Sequence, residues 1–408
     1  MKRTLRTTAV GLAALALATS ASAGGAIALP ALPETSTPAP SPTDGGGMLY
    51  AATNELAGNR IAIYRRGTDG QLAFVESVPT GGAGSGGFEG SANGLILASR
   101  GGESSPNNLT GSDTFLLATN TGSGSVSVFR TVGESLELVE NESAGINHPI
   151  SVTVSHGIVY VLNGGATNCL GGAPTITGFR LESEGSLTPI PGSTRPVSGG
   201  VASGCTQVSF TPAGDVLVVT EKNADVISTY TVDSDGVAAG PLTNQSSGNG
   251  PFGFTFTQTG RLLTAENFQG AAFQGAASSY EVAGDGALTP VSGPVRNNRS
   301  DTCWIVITDD QRYAYVTNAM TNDISSYRVD PDGTMTLLES IAGPADELPA
   351  PFAIPADLTL SRDSRFLYAR NVRDGDIFAF EVGVDGTLAL IQVLSRALPP
   401  GAIGVAGT

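Results

Sequence analysis

Only two lysines, two histidines and one tryptophan occur in the 408 residues, and charged residues of all kinds amount to 14%. The 37 acidic side chains outnumber the 21 basic ones and leave a net charge of −16. A field of that sign repels nucleic acid and anionic membrane surfaces, so neither is expected as a partner. Beyond the first two dozen residues no apolar run is long enough to cross a bilayer, and no transmembrane segment is expected. Cysteine is scarce too: three residues with no Cys-x-x-Cys spacing, which argues against a zinc cluster.

The N-terminus supplies the one exception to this polar, loop-rich character. Lys2, Arg3 and Arg6 precede an apolar stretch from Ala9 to Ala18, and Ala21-Ser22-Ala23 follows as a cleavage signature. Residues 1–23 therefore read as a secretory signal, and no Cys follows the run to carry a lipid. Cleavage after Ala23 would take the net charge from −16 to −19. Gly24 to Gly47, rich in Pro, Ser, Thr and Gly, reads as a leader unable to build a core. A secreted, extracellular, monomeric protein is expected.

What the chain has in abundance is glycine, 54 residues, and a repeat that explains it. The stretch Arg312 to Leu338, RYAYVTNAMTNDISSYRVDPDGTMTLL, holds two alternating apolar runs, a loop opened by Asn318, an Asp332-Gly333 turn and a third run. Three landmarks recur with it. A polar residue closes the first run in each copy: Asn54, Asn120, Asn163, Glu221, Asn267, Asn318, Asn371. An aromatic marks the next: Tyr64, Phe129, Phe179, Tyr230, Tyr280, Tyr327, Phe380. A turn glycine follows six residues later in all copies but the second, whose turn is Val132-Gly133-Glu134-Ser135.

From Asn54 to Asn371 the six intervals average about 53 residues, a period of propellers and arrays. A further strand precedes each copy except the first, and a strand at Ala402 to Ala406 is left over at the end. Pairing that tail into the first copy resolves both irregularities. The fold class is thus all-β, a seven-bladed β-propeller of four-stranded antiparallel blades over residues 48–408, closed by its C-terminal strand.

Tyr315-Val316-Thr317-Asn318, the turns Asp69-Gly70-Gln71-Leu72, Asp285-Gly286-Ala287-Leu288 and Asp385-Gly386-Thr387-Leu388, and this strand grammar resemble the lactonase-type seven-bladed propellers. That family includes 6-phosphogluconolactonases and carboxymuconate-lactonising enzymes. The resemblance implies attack on, or closure of, a lactone ring, with His, Arg and Glu on one propeller face and no cofactor required. The family's His-x-His is matched in part by Asn147-His148-Pro149-Ile150. Its Gly-Pro-Arg-His run falls on Ser203-Gly204-Cys205-Thr206, which has neither Arg nor His, and its Asn-Glu-Leu falls on Thr220-Glu221-Lys222. Without that Arg, a phosphorylated lactone loses its expected anchor, for which Lys222 is a poor geometric replacement.

The candidate catalytic residues are then His148, Glu221 and Glu266. Glu221 breaks the otherwise all-Asn column, and Glu266 stands beside Asn267 ahead of a lengthened loop; an Asx-like structural role is the competing account of Glu221. Trp304, Asn318 and Asn371 are candidates for ligand binding, and a partner of small-molecule lactone type, or another extracellular ligand, is expected. A calcium-type hydrolase would instead need the Asn column to point inward at a cation. Cys169 and Cys205 lie on one face of adjacent blades and are expected to form a disulfide, leaving Cys303 free. A binding propeller that has lost the family's Arg and second His is the alternative function.

Overall fold

A computed structural model describes residues 46–99, 114–143, 145–343, 354–401 and 403–408. The chain divides into two units, residues 1–41 and 42–408, and everything below concerns the second. The expected secretory signal and nearly all of the Pro-rich leader lie outside the described residues.

Seven antiparallel sheets form in chain order around one axis. Alternation of side chains decides the strands: in Tyr313–Asn318, Tyr315 packs into one inter-blade core and Ala314 and Val316 into the next. The innermost strands of blades 2 to 7 are Leu95–Ser99, Pro149–Ser155, Cys205–Phe210, Pro251–Phe256, Thr302–Ile307 and Pro355–Leu360. Blade 1 takes its innermost strand from the far end of the chain. Val405–Gly407 pairs antiparallel with Gly47–Ala52, Tyr50 opposite Ala406, and seals the ring. The closing strand sits slightly later than Ala402 to Ala406, and the first strand begins at Gly47 rather than Met48.

Tyrosine hydroxyls tie the blades together. Tyr160 donates to the Gly236 carbonyl at 2.8 Å, Tyr315 to Gly386 at 3.0 Å and Tyr368 to Gly70 at 2.7 Å, each reaching the turn glycine of the following blade. Those turns need glycine for its left-handed backbone, with φ of 80° at Gly70 and 86° at Gly386. Blade 3 departs from the pattern. Its outer strand is split into Leu187–Pro189 and Arg195–Pro196, and between them the Gly178 amide of the neighbouring strand donates to Ser193 Oγ at 3.0 Å.

The innermost strands of blades 3 to 7 each carry a bulge near their start, which skips Ile150, Thr206, Phe252-Gly253, Cys303-Trp304 and Asp357 in the register. A bulge re-aims side chains where the ladder ends. All five cluster at one end of the axis, and that end carries the chemistry described next.

Candidate functional site

The connection from blade 1 to blade 2 is fifteen residues long, Thr80 to Gly94, whereas Ser246 to Gly250 and Asn297 to Asp301 make the same kind of connection with five. The extra length crosses the mouth of the axial channel. It leaves blade 1 through hydrogen bonds of Ser85 and Gly87 to the Asn54 side chain. It then meets blade 3, where Gly90 N donates to Asn168 Oδ1 at 2.7 Å, and blade 4, where Ala92 N donates to the Thr206 carbonyl at 3.0 Å. In blade 6 the Trp304 indole donates to the Ser91 carbonyl at 3.0 Å. Ala92 is buried against Phe252, Cys303 and Trp304. The segment is a plug over one end of the channel.

Glu89, in the middle of the plug, faces His148. Its Oε1 lies 3.3 Å from His148 Nε2, and its other oxygen accepts from the Asn168 amide at 2.9 Å. Both facing atoms are shielded from water, yet neither closes a well-angled hydrogen bond to the other or to any other described group. His148 is held in a left-handed conformation, φ 54°, between Asn147, whose amide donates to Asn163 Oδ1, and a carbonyl that accepts from Gly164. Such a backbone in a non-glycine residue is uncommon and clusters at functional sites.

Lys222 completes the group. Its Nζ lies 5.4 Å from the centroid of the Phe252 ring. A Cβ placed on Gly90 would stand 3.5 Å from that Nζ, 3.3 Å from Asn168 Oδ1 and 3.8 Å from Phe252, so cation, amide and ring converge on the glycine beside Glu89. Phe252 in turn packs at 4.8 Å on Trp304, and Phe88 stands edge-on to the same indole at 6.5 Å. Below them burial raises the Asp301 carboxyl, with Lys222 working against the shift, and burial pushes the Cys303 thiol well above its ordinary range.

The other expected site residues are engaged elsewhere. Glu221 is fully buried, its carboxylate accepting from Ser198 N at 3.1 Å, Gly199 N at 2.7 Å and the Ser228 hydroxyl. It plays the part that Asn163 and Asn371 play in their blades, where the side-chain oxygen takes amides of the preceding connection. Its neighbour Lys222, one step along the strand end, is the residue that reaches the mouth. Glu266 accepts from Gly248 N and Ser246 Oγ, and burial raises its carboxyl against those donors. Among the described contacts neither glutamate touches His148.

Asn318 is buried in a network of Asn297, Thr302, Asp323 and Ser325, and Asn371 binds Ile354 N, Arg373 N and Asp374. These side chains serve their own loops, and among the described residues no group of three His, Cys, Asp or Glu could hold a metal ion. Trp304 is at the mouth but only 2% exposed, acting as the hook of the plug rather than as an open platform. Cys169 and Cys205 are joined with Cα atoms 5.4 Å apart, and Cys303 is free and buried.

Glu89 and Asn168 are not singled out by their own residue types. The signals for them are the lengths of the Gly-rich stretches in which they stand, the connection around Glu89 and the blade 3 loop Gly164 to Pro174. The cavity along the axis opens on the opposite face. It is lined by Gln207, Ser209, Phe254, Ile305, Asp357 and Thr359 and includes neither His148 nor Glu89.

Comparison with known proteins bears on this arrangement. Residues 280–398 match the family model described as lactonase, 7-bladed beta-propeller. A putative 6-phosphogluconolactonase from Bacteroides uniformis is similar in structure, with 17% identity, a TM-score of 0.65, and coverage of 90% of this chain and 100% of that one. The periplasmic gluconolactonase of Pseudomonas aeruginosa gives 16% identity, a TM-score of 0.64 and coverage of 89% and 99%. A protein from Lactobacillus plantarum gives 18%, 0.64, 89% and 99%. No curated protein matches the sequence. At these identities the structures speak for the fold. The lactonase signature covers residues 280–398, and the whole ring shares with these structures the fold of a seven-bladed β-propeller.

Proposed function

We propose that the protein is an exported lactone hydrolase acting on unphosphorylated lactones at the plugged mouth of the ring, with His148 as general base. The observation that carries this reading is the His148–Glu89 pair, shielded yet without a closed hydrogen bond. Catalytic bonds are often poorly aligned before substrate arrives, and a small rotation of the imidazole would close this one.

Glu89 fixes the ring by facing Nε2, so Nδ1 is the basic nitrogen. Nδ1 takes a proton from water as the oxygen attacks the lactone carbonyl, and the protonated ring returns it to the ring oxygen as the C–O bond breaks, giving a hydroxy acid. Lys222 is the nearby cation for the developing oxyanion or for a substrate carboxylate. A single ammonium is a poor match for a phosphate dianion, for which a bidentate Arg is the better partner. The Pseudomonas aeruginosa relative, a periplasmic gluconolactonase, supports both the substrate class and a location outside the cytoplasm. The secretory character read in residues 1–23 supports the location.

A screen of aldonolactones and acyl lactones tests the reading. Hydrolysis by the wild type is expected, with His148→Gln reducing kcat by at least about 100-fold. The second reading, a binding propeller without catalysis, is favoured by the burial of Glu221 and Glu266 inside their own loops. It prevails if no lactone is opened, whereas a His148→Gln protein as active as the wild type would remove His148 from the mechanism.

A further inference from the structure

We infer that Asn168, anchored by the Cys169–Cys205 disulfide, is the positioning residue that sets the Glu89–His148 pair; the catalytic part of this inference rests on the function proposed above.

Four observations converge on Asn168. It grips the plug at two adjacent residues, its backbone amide donating to Glu89 Oε2 at 2.9 Å and its side-chain Oδ1 accepting from Gly90 N at 2.7 Å. This leaves Glu89 Oε1 as the oxygen that faces His148. Second, the grip depends on an unusual backbone. Asn168 and Cys169 are both left-handed, with φ of 53° and 56°, which places amide and side chain on the same side of the turn. Asn tolerates that region better than most residues, whereas Cys has no such preference.

Third, something must hold two successive residues in that region. The disulfide does so from the neighbouring position, joining the turn to the start of the innermost strand of blade 4, and Gly204 N donates to the Cys169 carbonyl at 3.3 Å from the same side. Fourth, Cys169 and Cys205 are both buried in the core between blades 3 and 4, so the anchor is set in the rigid part of the ring. The family's Gly-Pro-Arg-His position is therefore occupied by one half of a clamp. Its effect reaches His148 through Asn168 and Glu89 rather than by contact with substrate.

Asn168→Gly keeps the left-handed backbone and the amide that binds Glu89 but removes the oxygen that binds Gly90. Asn168→Asp restores an acceptor at that place. With only two histidines in the chain, long-range proton–nitrogen NMR of the imidazole rings reports His148 directly, and His156→Asn assigns the signals.

The His148 ring signals are expected to move in Asn168→Gly and to return at least halfway in Asn168→Asp, while those of His156 stay in place. A Cys169→Ala/Cys205→Ala protein is expected to move them the same way. On a lactone that the wild type opens, Asn168→Gly is expected to lower kcat about tenfold, through misplacement of the base, with KM within about twofold. His148 signals unmoved in a folded Asn168→Gly protein would overturn the inference, and so would their failure to return in Asn168→Asp. If the rings respond as expected but no lactone is opened by the wild type, the positioning role stands and the proposed function falls.

Discussion

The indole nitrogen of Trp304, in the sixth blade, donates to the carbonyl of Ser91, in the connection between the first and second blades, at 3.0 Å. One side chain thus fastens the plug to a blade that it neither leaves nor enters. The sole tryptophan is also the sole fluorescent indole, so the contact can be watched.

Trp304→Phe keeps an aromatic ring against Phe252 but leaves the Ser91 carbonyl unpaired. A stability loss of about 1–2 kcal/mol is expected in urea unfolding, together with faster proteolysis within residues 85–93. In the wild type, fluorescence should be that of a buried indole and shift to the red only on unfolding. A red-shifted native spectrum would show that the plug is not seated.

Glu221→Gln separates structure from catalysis. The native carboxylate accepts from two backbone amides and a hydroxyl, and the amide replacement turns one acceptor into a donor. A loss of about 1–3 kcal/mol is expected, with lactone turnover per folded molecule unchanged. A large fall in kcat at unaltered stability would return Glu221 to the catalytic role expected from the sequence.

Asp357 gives the fold a pH dependence. Burial pushes its carboxyl from 3.8 up to about 7, against the opposing pull of Arg370 and of backbone amides including that of Val405 at 3.0 Å. The folded state therefore holds this proton more tightly than the unfolded state. The stabilisation is fully present below pH 3.8 and is lost as pH rises to about 7, a change of roughly 4 kcal/mol. Asp357→Asn should flatten this part of the stability profile, which urea unfolding at several pH values would measure. Equal slopes for the two proteins would contradict the assignment.

Removal of residues 405–408 should open the ring. The deletion strips blade 1 of its innermost strand, the buried Val405 and Ala406, and the bonds between Thr408 and Met48. A loss of at least about 3 kcal/mol is expected from apolar burial and ladder bonds together. Thermal unfolding would register it. A truncated protein that melts with the wild type would mean that closure contributes little.

The sequence by itself determined the architecture. Its landmarks are local and repeated: an aromatic, a turn glycine six residues on, a polar residue closing a strand. Each is required by a strand period or a positive φ that the chain cannot satisfy otherwise. Ring closure followed from counting, since a missing first strand and a surplus last one have a single joint solution. Even the Glu221 column was legible as a position, and the longer side chain there takes amides of its loop as the asparagines do in theirs.

Only the tertiary structure decided which residues meet at the mouth. Glu89, His148, Asn168, Lys222 and Trp304 come from five stretches of chain and share no spacing. The plug that gathers them has no periodic pattern, because its path is set by a few hydrogen bonds to each of four different blades rather than by burial of one face. Periodicity reports which side of an element is buried. It carries no information about what stands opposite across an axis, and that is where this chain keeps its candidate chemistry.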